Sequence, residues 1–359
     1  MCQSTNHRHS IFCILPPHIL QAIANHGTPQ QRAMALQTLG TDHTVRSLRA
    51  MALQAVPAAR RHPRISAVTE AQKHRTIYNA QHTETLPGTV VRTEGAAPSD
   101  DPAVDEAYDG LGATFDFYWE IFERNSIDDE GMPLDATVHF GQGYDNAFFD
   151  GQRMVFGDGD GDLFTRFTIS VDVIGHELTH GVTQDEAGLT YFGQPGALNE
   201  SMSDVFGSLI KQFALKQTAD KADWLIGAGL FTTKVQGVAL RSMKAPGTAY
   251  NDPVLGKDPQ PAHMKDFVNT SQDNGGVHIN SGIPNHAFYL VATQLGGHAW
   301  EKAGPIWYET LRDPRLRSNS SFSTFARLTA NVARRLYGSN GTEEKAVRES
   351  WKQVGIVIK

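Results

Sequence analysis

The sequence predicts an α+β fold: a β-rich part from residue 66 to 170, a mainly α-helical part from 171 to 359, and a short helical segment of residues 1–65 in front, its boundary falling between 50 and 75. Three observations carry this. Between residues 76 and 167 short β-branched or aromatic runs alternate with turns rich in Gly and Asp. Beyond 171 the apolar residues recur at helical spacing. Charge divides the chain as well: residues 1–75 hold nine Lys and Arg against two acids, the remainder 23 basic against 37 acidic residues. A basic head on an acidic body is expected to dock on that body rather than on nucleic acid.

In chain order, Pro16-Pro17 opens a helix with Ile19, Leu20, Ile23 and Ala24 on one face, and Val45, Leu48, Ala52, Ala55 and Val56 mark a second, weaker one. Pro57, Arg60-Arg61 and Pro63 read as an exposed connector. Strands are expected at 88–92 and, with period-two alternation, at 135–140. Between them Asp101-Pro102 starts a helix whose apolar face is Val104, Ala107, Tyr108, Leu111, Phe115, Tyr118, Trp119 and Phe122. The run from Gly157 to Asp162 has a calcium-loop rhythm, but its twelfth position from Asp158 is Ile169 where glutamate is needed, so it reads as a tight turn. Helices are expected at 172–183, 198–216, about 284–296, 302–311, 322–337 and 342–353, the last started by Thr342-Glu343-Glu344 with Val347, Trp351 and Val354 inward.

With 359 residues, 40% hydrophobic and 20% charged, the chain suits two soluble domains and an appendage. No apolar run reaches the roughly 20 residues of a membrane helix, and no membrane partner is expected. Ile11 to Leu15 is too short for the apolar part of a secretory signal, so export by a non-classical route, or residence in the cytoplasm, is expected. Cys2 and Cys13 are the two cysteines, too few and too close to the start for disulfides to hold the fold.

Chemistry concentrates in His176-Glu177-Leu178-Thr179-His180. Two imidazoles four residues apart share one helix face and reach one metal ion, with the glutamate beside it. Sixteen residues after His180, Gly196 opens a second motif, Asn199-Glu200-Ser201-Met202-Ser203-Asp204. Glu200 supplies a third, anionic ligand, and Asp204 accepts the remaining N–H of a ligating histidine. Three protein ligands and an open corner describe a catalytic zinc rather than a structural one.

These motifs resemble those of the thermolysin-like zinc metalloproteases. The resemblance runs from about Thr76 to the C-terminus, through Leu86-Pro87-Gly88-Thr89, Asn146-Ala147-Phe148-Phe149, Arg241-Ser242-Met243 and the stretch Asp273 to Gly282. It implies a zinc endopeptidase with the zinc helix at the junction of the two halves. Zinc ligands would be His176, His180 and Glu200, backed by Asn199 and Asp204. Glu177 would take the proton of the attacking water, Tyr191 and His278 would face the oxyanion, Asp273 would orient His278, and Arg241 would grip a substrate carbonyl. Asn146 and Ala147 would present a sheet edge to an extended peptide. Phe164, Phe167, Val173, Ile226, Leu230 and Leu240 would line an apolar pocket, giving cleavage on the N-terminal side of Leu, Phe, Ile or Met.

The Pro-Pro segment resembles the propeptide of protealysin-type members, which implies an intramolecular inhibitor removed by self-cleavage; sites before Met51, Leu53 or Ile65 would suit the pocket. Cys13 is read as a small half-buried thiol in preference to a plug on the zinc. Where the family builds a double calcium site, Asp172 and Asp223 remain but Lys211 and Ala228 replace the other acids. Calcium is therefore doubtful, and the Lys211 ammonium is expected to bridge the two aspartates. A monomer is expected, with peptides and proteins as substrates and a protein inhibitor as a further partner. The rivals are a zinc-stabilised binding protein without activity, which the presence of Glu177, Tyr191 and His278 opposes, and an aminopeptidase, which lacks its Gly-x-Met-Glu-Asn element at Gly143-Tyr144-Asp145-Asn146-Ala147.

Overall fold

The computed structural model describes residues 12–54 and 72–358. Six strands, β1 (Phe12–Cys13), β2 (Arg75–Asn79), β3 (Thr89–Thr93), β4 (Leu134–Val138), β5 (Ala147–Phe149) and β6 (Arg153–Phe156), form one mixed sheet in the order β1-β5-β6-β4-β2-β3. The strands β2, β4 and β6 run parallel, while β1, β3 and β5 pair antiparallel with their neighbours. The alternation expected at 135–140 does not translate into a one-sided strand. Ala136, Thr137 and Val138 are all buried, because a parallel strand in mid-sheet is covered on both faces. Strand β3 lies at the sheet's end, where Val90 and Val91 stay exposed.

The first two helices are α1 (Pro17–His26) and α2 (Pro29–Gln54), packed on each other. Helix α2 begins much earlier than the residues around 45–56 suggested. Its extra turns place Gln31, Thr38, Thr41 and Asp42 inward, and buried polar residues leave no apolar periodicity to read. The expected connector at 57–63 lies outside the described residues, as do Ala55, Val56 and Ile65. Helix α3 (Pro102–Phe122) starts as expected, with the Asp101 side chain accepting from Ala103 N at 3.0 Å. Six residues of its anticipated face are buried; Trp119 and Phe122 are half-buried. It packs against β2, β4 and the two helices of the metal motifs, α4 (Val171–Glu186) and α5 (Gly193–Ala214).

Five more helices complete the second half: α6 (Asp273–Asn280), α7 (Gly282–Leu295), α8 (Ala303–Leu311), α9 (Phe322–Tyr337) and α10 (Thr342–Gln353). The last two match their expected bounds, since Ser321 caps α9 by accepting from Thr324 N and Gly338 ends it. Two short hairpins, Leu225–Ile226 with Arg241–Ser242 and Asn251–Asp252 with Gly256–Lys257, fill the stretch between α5 and α6. A large apolar core runs from the sheet through the helices, and Ile14, Leu15, Ile19, Leu20 and Ile23 of the front segment belong to it. Cys13, expected as a half-buried thiol, is fully buried in a smaller cluster with Phe140, Tyr144, Phe148 and Val155. No helix among the described residues is long and apolar enough to cross a membrane.

Candidate metal centre and substrate cleft

Helices α4 and α5 approach closely because glycine faces glycine. A methyl on Gly207 would stand 2.4 Å from the Asp172 carbonyl oxygen, and one on Gly175 would meet Ile210 at 2.7 Å. That approach sets Glu200 of α5 over His176 and His180 of α4. The ligand atoms of these three buried residues lie within 4.8 Å of one another. The His176 and His180 Nε2 atoms are 3.1 Å apart, each 3.5 Å from a Glu200 oxygen.

The outer nitrogens decide what this arrangement holds. The Nδ1 atoms of His176 and His180 bond to Asp204 Oδ1 and Asn199 Oδ1, both at 2.8 Å. Both acceptors are the residues anticipated behind the ligands, and they fix Nδ1 as the protonated nitrogen of each ring. The two Nε2 atoms then present lone pairs toward each other, beside a buried Glu200 Oε2 that accepts no hydrogen bond. Lone pairs and an anion facing inward require a cation. Tetrahedral zinc with bonds of about 2.0–2.1 Å sets its ligands roughly 3.3 Å apart, the spacing found here.

Asp204 anchors the centre. Besides His176 it accepts from Arg241 Nε at 2.9 Å and from Asn285 Nδ2 at 2.8 Å. Burial by itself would raise its pKa, but the Arg241 charge and the His176 hydrogen bond hold it below the usual carboxylate range. Asn285 carried no motif and was not foreseen.

On the other flank, Asp273 accepts from His278 Nδ1 at 2.6 Å and from its backbone N at 2.9 Å. Four residues with positive φ, Asp273, Asn274, Gly275 and Gly276, wind the start of α6 so that the Asp273 carboxylate reaches back to that histidine. For two of them glycine is the residue that adopts this backbone at no cost. Burial disfavours the His278 charge, yet Asp273 and Glu200 raise its pKa overall. The Tyr191 hydroxyl donates to Glu200 and lies 3.2 Å from His278 Nε2. Glu177 is fully buried, its Oε2 accepting from Phe149 N of β5 at 3.2 Å.

The edge of β5 is not bare. Strand β1 pairs with it, Phe12 opposite Phe149 and Cys13 opposite Phe148. Ile14 N then donates to Ala147 O at 3.2 Å, Leu15 N to Asn146 Oδ1 at 3.0 Å, and Arg241 Nη1 donates to Ile14 O at 3.1 Å. Asn146, Ala147 and Arg241, the residues expected to hydrogen-bond a substrate backbone, thus all bind the chain's own front segment. Occupation of the cleft by Ile14 and Leu15 was not read from the sequence; the apolar pair before Pro16-Pro17 was its available sign. Helix α2 tightens the hold, because Asp42 Oδ2 accepts from Asn146 Nδ2 at 3.0 Å. Phe164, Phe167, Val173, Ile226, Leu230 and Leu240 are all fully buried in the same core as Ile14 and Leu15.

The expected lysine bridge is present. Lys211 Nζ donates to the Leu225 carbonyl oxygen at 2.7 Å and forms ion pairs with Asp172 at 2.7 Å and Asp223 at 2.8 Å. Burial would lower its pKa, and the two aspartates more than reverse this.

The chain is similar to known proteins over most of its length. The thermolysin metallopeptidase catalytic domain matches residues 61–184 and its α-helical domain residues 187–356. An extracellular metalloprotease of Pectobacterium carotovorum subsp. carotovorum is 53% identical over 97% of both chains. Protease PrtS of Photorhabdus sp. (strain Az29) is 50% identical over 96% of this chain and 92% of its own. The solved precursor of protealysin, a metalloproteinase from Serratia proteamaculans, superposes with a TM-score of 0.87 at 55% identity, over 96% of this chain and all of that one. The chain therefore belongs to the thermolysin family of metallopeptidases and is a zinc metalloendopeptidase.

Proposed function

We propose that the full chain is a latent endopeptidase that cleaves itself free of its front segment and then cuts peptides before Leu, Phe, Ile or Met. The observation that carries this is the run Phe12 to Leu15, whose backbone is bound by the Ala147 carbonyl and by the Asn146 and Arg241 side chains beside the metal centre. The propeptide spans residues 1–65 and the two catalytic parts 66–170 and 171–359. As the names of its relatives describe, the enzyme acts outside the cell.

His176, His180 and Glu200 would hold zinc, which when bound supplies a Lewis acid and acidifies water. Glu177 stands one residue from His176 on the same helix, its orientation fixed by the Phe149 N–H. It takes the proton of the attacking water and returns it to the leaving amine. His278, held at Nδ1 by Asp273, aims Nε2 at the developing oxyanion together with the Tyr191 hydroxyl. Once the front segment leaves, Ala147 O and Asn146 Oδ1 accept from substrate N–H groups and Arg241 donates to a substrate carbonyl. Backbone pairing of this kind is indifferent to sequence, so choice falls to the apolar wall of Phe164, Phe167, Val173, Ile226, Leu230 and Leu240. The Lys211 ammonium stands in for calcium between Asp172 and Asp223. A protein inhibitor would use the same edge of β5.

The test is time-resolved mass spectrometry of the purified chain with a library of blocked peptides. Expected are loss of the front segment and cuts before large apolar residues, both abolished by Glu177→Ala. Equal cutting before Asp or Lys would overturn the specificity.

A further inference from the structure

A second cluster of metal-type donors lies away from the catalytic centre. Strands β6, β4 and β2 are neighbours and parallel, so their C-terminal ends open at one rim of the sheet. Each delivers one residue just past its end: Asp158 after β6, His139 after β4 and His82 after β2. His139 Nδ1 is 2.9 Å from Asp158, His82 Nδ1 is 3.4 Å from it, and the three ligand atoms all fall within 4.8 Å of one another.

Two features go beyond proximity. The other nitrogen of His139, Nε2, bonds Asp101 Oδ2 at 2.8 Å, the carboxylate–histidine relay that fixes a ligating ring and its tautomer. Both histidines also hold left-handed backbone, φ 58° at His82 and 54° at His139, and a bond from His82 N to His139 O at 2.9 Å keeps the two residues side by side. Such a conformation is uncommon outside glycine and is strain of the kind that gathers at functional sites.

We propose that His82, His139 and Asp158 bind a second divalent transition-metal ion of the zinc type, with Asp101 positioning His139. Two imidazoles and one carboxylate suit zinc, copper or nickel better than calcium. His139 Nδ1 and His82 Nδ1 lie 2.9 and 3.4 Å from Asp158, near the roughly 3.3 Å between neighbouring ligands of a tetrahedral zinc, and the exposed side of His82 leaves a further corner to solvent. The ion joins the turn holding His82 to the Gly-Asp turn holding Asp158. Those two turns also receive helix α2, through Thr41 to Glu84 at 3.0 Å and Gln31 to Asp162 at 2.7 Å. The ion therefore braces the surface on which the front segment rests.

The test strips the full chain with chelator, reloads it with Zn2+ and measures metal by mass spectrometry and calorimetry. Wild type is expected to bind two equivalents. His82→Ala, at an exposed position, should bind one and keep its peptide hydrolysis. Asp101→Asn preserves the helix cap and should weaken the second equivalent by roughly 10–100-fold. A single equivalent in wild type would mean that His139 simply bridges two aspartates. A second equivalent that survives His82→Ala would place the ion elsewhere; either result overturns the assignment.

Discussion

Two polar clusters border helices α4 and α5, and they meet their need for positive charge differently. At His176, His180 and Glu200 the chain converges lone pairs and a carboxylate that call for an exchangeable cation. At Asp172 and Asp223 it supplies the cation itself, as the ammonium of Lys211, covalently tethered to α5. A tethered cation is present from synthesis and cannot be chelated away, but it has no spare coordination for a substrate. Stability can be entrusted to a lysine; catalysis of this type requires the exchangeable ion.

Breaking the first cluster has the largest effect. Glu200→Gln should lose zinc at the catalytic centre and at least about 1,000-fold in peptide hydrolysis, read by metal analysis and a fluorogenic peptide. Glu177→Gln should retain that zinc yet fall about 100- to 10,000-fold, which separates holding the ion from using it. The second cluster should fail as structure. Lys211→Met leaves the buried Asp172 without its counter-charge and should cost about 3–5 kcal/mol in urea unfolding. Asp223→Asn, at a half-exposed position, should cost under about 1 kcal/mol. Converting the site with Lys211→Glu and Ala228→Asp should make the melting temperature calcium-dependent. Gly207→Ala, which drives α4 from α5, should cost about 1–3 kcal/mol and weaken zinc binding as well.

The front segment also carries a pH dependence. His18 Nε2 lies 3.1 Å from the Tyr250 hydroxyl, and burial lowers the His18 pKa to about 4 from an ordinary 6.5. The docked segment therefore holds His18 neutral, whereas a released one takes up a proton below 6.5. Docking should be at full strength above pH 6.5, weaken as pH falls to about 4, and change no further from this group. Limited proteolysis of the front segment in the Glu177→Ala chain should show that slope, flattened by His18→Gln.

Much of the centre was legible because its chemistry is local. The ligands come from two helices whose four-residue spacing is written in the chain, and Asn199 and Asp204 sit one helical turn or less from Glu200. Helices α9 and α10 were legible through their caps and periodicity. What escaped depends on distant partners. The pairing of β1 with β5 joins segments more than 130 residues apart, and four residues of extended chain leave no pattern. Helix α2 was underestimated because its inward side is Gln, Thr and Asp. The meeting of His82, His139 and Asp158 follows from the parallel order of β2, β4 and β6, which no single stretch encodes.

The pairing of β1 with β5 has a consequence for handling the molecule. An open strand end is adhesive toward any extended polypeptide, its own siblings included. Residues 12–15 seal that flank, so a form lacking them should show more self-association at equal concentration, read by light scattering.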